Sequence, residues 1–342
     1  MGYAQDNKRA WNWSMMPPVP DAFGFAGAFA GKLAGGFILA GGANFPDGRL
    51  PWDGGTKRWT DKVFFLENNG TAWLQPGRLP VPLGYGASAS WDDALYVAGG
   101  SNEKGHHDKT YKITVDAGAL HITALPPLPM PLANMSGILV GSWWYIVGGL
   151  ATPDAPAAEN VCYRMDLAHA GRGWEVCAPL PGEGRMLAVL GTDTEALYVF
   201  SGVALREGQR QYLTDSYRFD PAAGWKKLPD LPRAVAAAPS PCFFDRPSNR
   251  FFIFGGDDGG LAQQQLGAAH PGFSRSVHMF DVDAGEWDYQ QVMDLHGSLP
   301  PVTTTAVVDE NTVILPMGEV KPGIRTTHVL QGSILRHEIK KP

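Results

Sequence analysis

The sequence predicts an all-β protein assembled from six similar units, and three observations carry that expectation. First, the 342 residues include 42 Gly and 28 Pro but few charges (18%), a composition suited to short strands and tight turns and unsuited to helices. Second, a short apolar run ending in small residues recurs along the chain: ILAGG (38–42), YVAGG (96–100), YIVGG (145–149), YVFSG (198–202) and FIFGG (252–256). A sixth apolar stretch, PMGEVKPGIRTTH (316–328), breaks the pattern. Third, the small pairs end at positions 42, 100, 149, 202 and 256, with the variant ending at 319, so the copies keep a nearly constant period.

Each unit unfolds in the same order. The apolar run is a buried strand, as in ALYVA (94–98) and RFFIF (250–254). After a loop comes a second strand: DKVFFLE (61–67), DKTYKIT (108–114), ENVCYRMD (159–166), TDSYRFD (214–220) and RSVHMFD (275–281). A tryptophan strand and a Leu-Pro turn follow in TAWLQPGRLP, GWEVCAPLP and GWKKLPDLP, and EWDYQQVMDLHGSLP has a longer turn. The second unit differs, with His121 in HITALPPLP near the expected tryptophan. This order resembles the kelch repeat, over nearly the whole chain. The resemblance implies a six-bladed kelch-type β-propeller with four strands per blade. The tryptophans are then expected to pack between blades.

One propeller domain should span 1–342, with blades at about 21–80, 81–130, 131–184, 185–235, 236–299 and 300–342 plus 1–20. The last unit has strands near 302–308, 312–317 and 326–338 but no tryptophan strand. WNWSMMPPVP (11–20) has that strand's form, so residues 11–17 should complete the last blade and leave no open edge.

Composition also narrows function. A formal net charge of −6 without a basic run makes nucleic acid a poor partner. FGFAGAFAGKLAGGFILAGG is apolar but broken by glycines and Lys32, so no membrane span is expected. Cys162, Cys177 and Cys242 lack metal-ligand spacing; Cys162 and Cys177 could form a disulfide. GGDDGG reads as a turn, and His106-His107 as a loop; no metal and no cofactor is expected.

In an up-and-down blade, the loops between strands 2 and 3 and those between blades share one face. The long loops 43–60, 203–213 and 257–274 lie there, and long ordered loops on a rigid scaffold are where sites are built. Glu319 follows an apolar strand beside the central channel, where an unpaired carboxylate is costly. Arg325, across Pro322-Gly323, is its natural partner. The pair reads as a solvated loop, a structural clamp, or a general acid/base beside an anion-binding arginine. A partly desolvated Glu can be tuned to a pKa of roughly 6–7, and Arg offers a planar fork to a carboxylate.

GEVKPGIRT (318–326) resembles the signature of the sialic acid (N-acetylneuraminate) mutarotase family, and LAGGANFPDG (39–48) and GYGASASWDDALYVAGG (84–100) resemble further family segments. In commoner members the Glu-Arg motif precedes the GGA-x-F segment. Here the order is reversed, which resembles a cyclically permuted branch. The resemblance implies an isomerase that interconverts the α and β anomers of N-acetylneuraminate without a cofactor, in a periplasmic setting; a cytoplasmic one is the alternative. It carries catalytic roles onto Glu319 and Arg325, and a substrate-binding role onto Arg185 in PLPGEGR. Asn44, Phe45, Tyr85 and Lys321 are further substrate-binding candidates by loop position. The expected partner is a small acidic sugar; oligomeric state is left open. Two alternatives remain: a non-enzymatic kelch module binding a glycan or protein, and a mutarotase for another acidic sugar.

Overall fold

The computed structural model describes residues 11–335. Six four-stranded antiparallel sheets form the blades of a propeller. Blade 1 runs Phe29–Leu33, Gly36–Ala40, Lys62–Glu67 and Leu74–Arg78 from first strand to fourth. The second strands Gly36–Ala40, Ala94–Ala98 and Leu197–Phe200 are buried at every residue, and the other three at most residues. Both faces of such a strand are covered by neighbouring sheets, which is why they read as unbroken apolar runs instead of alternating ones.

Blade 6 consists of Val307–Asp309, Thr312–Pro316, Val329–Ile334 and Trp11–Met16. The N-terminal strand pairs in register with Val329–Ile334, from Trp11 opposite Ile334 to Met16 opposite Val329. The ring is therefore closed by strands from both ends of the described chain. The remaining parts of the expected last blade, 1–10 and 336–342, lie outside the described residues.

The tryptophans tie neighbouring blades. Trp73 Nε1 donates to the Pro17 carbonyl, Trp174 to Thr110 Oγ1, Trp225 to the Ala178 carbonyl and Trp287 to the Pro229 carbonyl. Each bond runs from the fourth strand of one blade, or the residue just before it, to the blade before it. Trp11 and Trp13 do the same work by ring packing, meeting Phe243, Phe252 and Phe254 of blade 5 at centroid distances of 4.7–5.6 Å. His121, in the blade that lacks the tryptophan, is exposed.

A ring of backbone hydrogen bonds encircles the channel. Tyr85 N donates to Gly27 O, Asn134 to Tyr85, Leu187 to Asn134, Ala237 to Leu187, Thr303 to Ala237 and Gly27 to Thr303, all at 2.7–2.9 Å. All six residues have positive φ, between 53° and 66°. Five of them bear side chains for which this region is uncommon, so the closed circuit sustains the conformation.

The structure corrects the repeat alignment by one residue. The left-handed pairs are Gly41-Gly42, Gly99-Gly100, Gly148-Gly149, Ser201-Gly202, Gly255-Gly256 and, in blade 6, Met317-Gly318 (φ 53° and 106°). Met317, not Glu319, departs from the small residue; the second glycine is kept in every blade. Glu319 stands one position further on. Its bridge to Val302 matches Ala43 to Ala26, Ser101 to Gly84, Leu150 to Ala133, Val203 to Met186 and Asp257 to Ala236. The six equivalent residues at the channel mouth are thus Ala43, Ser101, Leu150, Val203, Asp257 and Glu319.

Candidate functional site

A cavity of about 830 Å³ opens over the channel, lined by the loops between second and third strands and by the turns between blades. In four blades the former loop begins as a short hairpin: Ala43–Asn44 with Arg58–Trp59, Ser101–Asn102 with Gly105–His106, Val203–Arg206 with Gln209–Tyr212, and Glu319–Lys321 with Ile324–Arg325. A hairpin carries a side chain over the channel on a backbone that is itself hydrogen-bonded, so its position is fixed.

Glu319 and Arg325 are direct partners across the blade 6 hairpin. Arg325 Nη1 lies 3.2 Å from Glu319 Oε1, with the arginine side chain only 6% exposed and the glutamate 21%. The same oxygen accepts from the backbone N–H of Gly323 at 2.5 Å. Gly323 has φ 79°, and a Cβ there would meet Pro51 Cδ at 2.8 Å, so the turn that aims the carboxylate depends on glycine twice over. Arg325 Cζ sits 4.7 Å from the centre of the Phe45 ring. Its Nε and Nη1 are shielded and lack an aligned hydrogen bond among the described residues. The guanidinium is held chiefly by stacking and by charge.

A second cation completes this wall. Lys57 Nζ lies 4.6 Å from the Trp59 ring centre and 4.9 Å from that of Tyr85. Burial, and then the nearby Arg325, lower the Lys57 pKa, with Glu319 opposing. Burial raises the Tyr85 pKa, Arg325 working against it. His106 also lines the cavity, and burial first, then His107 and Lys57, lower its pKa, which keeps the imidazole neutral at pH 7. Two cations facing one carboxylate favour an anionic ligand, because its charge would be compensated as it leaves water.

On the opposite wall, from blades 4 and 5, stand Arg210, Tyr212 and Asp257. Tyr212 Oη donates to Asp257 Oδ2 at 3.0 Å, and Asp257 Oδ1 accepts from Gly259 N at 3.0 Å.

Of the candidates read from sequence, Glu319, Arg325, Phe45 and Tyr85 line this cavity. Arg185, Asn44 and Lys321 do not. Arg185 is fully buried, bidentate to Asp215 (2.6 and 2.9 Å) and bonded to the carbonyls of Ser201 and Glu183. That set occupies the guanidinium, so it clamps the turn between blades 3 and 4. Asn44, 5% exposed, gives its amide to Gly24 O and Asp21 Oδ1. Lys321 reaches outward to the Ala268 carbonyl at 3.1 Å. Lys57, Trp59 and Tyr212 line the cavity without having been candidates from sequence, and Asp257 was read there only as part of the GGDDGG turn. The one-residue shift in the repeat supplies the missing signal for Asp257, since it occupies the position equivalent to Glu319. Cys162, Cys177 and Cys242 are free thiols. Among the described residues no group of three or more His, Cys, Asp or Glu is placed to hold a metal, and no helix is long and apolar enough to cross a membrane.

Comparison with known proteins places this geometry. Residues 3–122 match the family model of N-acetylneuraminate epimerase. The N-acetylneuraminate epimerase of Salmonella typhimurium (strain LT2) is 38% identical over 103 residues, 27% of this chain and 26% of the relative. That of Haemophilus influenzae (strain 86-028NP) is 25% identical over 229 residues, 60% of this chain and 58% of the relative. The match thus spans about a quarter of the length of the Salmonella protein and somewhat over half of the Haemophilus one. The solved structure of YjhT superposes with a TM-score of 0.69 at 16% identity, covering 94% of this chain and 100% of that one, which shows a shared fold. The family match takes in blade 1 and most of blade 2, the wall that carries Phe45, Lys57, Trp59, Tyr85 and His106. The chain is a six-bladed β-propeller that resembles the N-acetylneuraminate epimerase family, most closely over residues 3–122.

Proposed function

We propose that this protein is a mutarotase that interconverts the α and β anomers of N-acetylneuraminate. The observation that carries the reading is the Glu319–Arg325 pair at the channel mouth, on a propeller whose N-terminal third matches the epimerase family. The pair differs from the structural Arg185–Asp215 clamp in that it lines the cavity and leaves Arg325 Nε and Nη1 without an aligned hydrogen bond among the described residues, which supports a role toward a ligand.

Mutarotation requires a proton removed from the anomeric hydroxyl and one delivered to the ring oxygen. The ring opens to a keto acid, the carbonyl turns its other face, and the ring recloses. Proton transfers suffice. Glu319 takes and returns the proton through Oε2, since Oε1 is occupied by Gly323 and Arg325. Arg325 and Lys57 hold the sugar carboxylate, and the aromatic faces of Phe45, Trp59 and Tyr85 fix the guanidinium and ammonium. A positioned general acid/base of this kind contributes ~10²–10⁴-fold in rate.

The test is proton NMR on freshly released α-N-acetylneuraminate, with and without protein. Faster approach to anomeric equilibrium is expected. An unchanged rate removes the sialic acid assignment, and acceleration of a different acidic sugar alone moves the activity to that substrate.

A further inference from the structure

The wall from blades 4 and 5 contains a hydrogen-bonded pair, Tyr212 and Asp257, that the reading above leaves unused. Asp257 and Glu319 are the only carboxylates among the six equivalent positions at the channel mouth, and they stand on adjacent blades. Both line the same cavity. Asp257 is tied down on both oxygens, by Gly259 N and by the Tyr212 hydroxyl. Because Tyr212 spends its proton on Asp257, the free lone pairs of its oxygen remain to accept from a ligand hydroxyl. Gly259 makes this possible: it has φ 77°, and a Cβ there would come within 2.3 Å of the Tyr212 ring. Glycine lets the loop close onto the tyrosine.

We propose that Tyr212, oriented by Asp257, is a second catalytic residue of this cavity, exchanging the proton of the sugar's ring-oxygen position while Glu319 serves the anomeric hydroxyl. The inference rests on the acidic-sugar mutarotase reading. In ring opening, Glu319 takes the anomeric O–H proton, and the electron pair of that bond becomes the π bond of the new carbonyl. The bond from the anomeric carbon to the ring oxygen breaks, and its pair stays on the ring oxygen. That oxygen takes the Tyr212 hydroxyl proton as Tyr212 takes one from a protonated Asp257; the hydrogen bond seen here, Tyr212 donating to Asp257, is the arrangement after this transfer, ready to accept the open-chain hydroxyl proton on closure. Closure onto the other carbonyl face runs every transfer backwards. Opening moves one proton onto Glu319 and one off Asp257, and closure reverses both, so the count is restored after each cycle.

The surroundings suit a relay. Tyr212 is faced by Asp257 and by Arg210 of its own hairpin; burial, then Asp257, raise its pKa, so it passes protons without ionising at neutral pH. Glu319 is faced by Arg325, with Lys57 nearby. A general acid and a general base that act together give a bell-shaped dependence of kcat on pH.

The experiment compares kcat and KM across pH for the wild-type protein, Tyr212→Phe, Asp257→Asn and Asp257→Glu, with thermal midpoints as the folding control. Tyr212→Phe and Asp257→Asn are expected to lower kcat by ~10²-fold with KM unchanged, and to remove one limb of the bell. Asp257→Glu should restore part of the rate and the missing limb, an outcome that a purely structural role for the aspartate would not produce. A Tyr212→Phe protein with wild-type kcat and the full bell would overturn the relay. A wild-type protein that accelerates no acidic sugar at any pH would overturn the mutarotase reading, and the relay with it. The two failures differ in what the wild type does.

Discussion

At the scale of single residues, the proposed mechanism separates a proton carrier from anion holders, and substitutions should separate them too. Glu319→Gln preserves size and the acceptor for Gly323 N but removes the base, so anomer interconversion should fall ~10²–10⁴-fold while thermal stability holds. Lys57→Met keeps the stem over Trp59 and Tyr85 and deletes the charge; steady-state kinetics should show a raised KM with kcat nearly intact. Arg325 is different, because it both faces the ligand and holds Glu319, so Arg325→Lys should lower kcat as well as raise KM. Glu319 and Arg325 were legible in the sequence because they sit six residues apart across one turn. Lys57, Tyr212 and Asp257 were not, because each reaches the cavity only once the ring has closed. Arg185 is engaged elsewhere for a related reason: its turn does lie between blades, but Asp215, thirty positions later in the chain, takes the guanidinium. Nothing local announces such a partner.

At the scale of elements, the hairpin that follows the second strand in four of the blades is the device that carries side chains over the channel. Its entrance is the left-handed pair, and blade 6 uses Met317 where most blades use glycine. Met317 is 1% exposed, so its side chain earns burial in the blade 6–blade 1 core at the cost of an uncommon φ. That choice explains why the sequence suggested a glutamate in the glycine's place: the apolar run seemed one residue longer than it is. Gly318 has no such latitude. At φ 106°, a Cβ would stand 2.7 Å from the Val302 carbonyl and 2.8 Å from Pro301 Cβ. Gly318→Ala should cost ~1–3 kcal/mol or more in chemical denaturation and displace Glu319, lowering activity with stability. Arg185→Met should act on stability alone: it leaves the partly buried Asp215 without its charged partner, at a cost of up to ~3 kcal/mol, with KM unchanged in whatever fraction stays folded.

At the scale of the whole molecule, the repeat pattern made the ring and its closure legible, since a missing tryptophan strand at one end matched a spare one at the other. The backbone circuit through Gly27, Tyr85, Asn134, Leu187, Ala237 and Thr303 was invisible, because only one of the six is a glycine and their shared conformation follows from closure, not from residue type. Closure should be felt globally. Trp13, 4% exposed, packs on Phe254 of blade 5 and over Gly332 of its own blade. Trp13→Ala should lower unfolding free energy by ~3–5 kcal/mol, measured by denaturant titration. The ring also carries a pH dependence. Burial, with Arg233 nearby, pushes His278 down from 6.5 to about 4. The unfolded chain then binds the proton more readily, so this contribution is complete above about pH 6.5 and is lost as pH falls towards 4. The thermal midpoint should decline across that window, and a flat profile would contradict it.

The most direct test is two-dimensional exchange NMR on N-acetylneuraminate at anomeric equilibrium. Catalysed interconversion should give cross peaks between the α and β signals in the presence of the wild-type protein, and Glu319→Gln should abolish them. Cross peaks absent with the wild type, or equally strong with Glu319→Gln, would contradict mutarotation through Glu319.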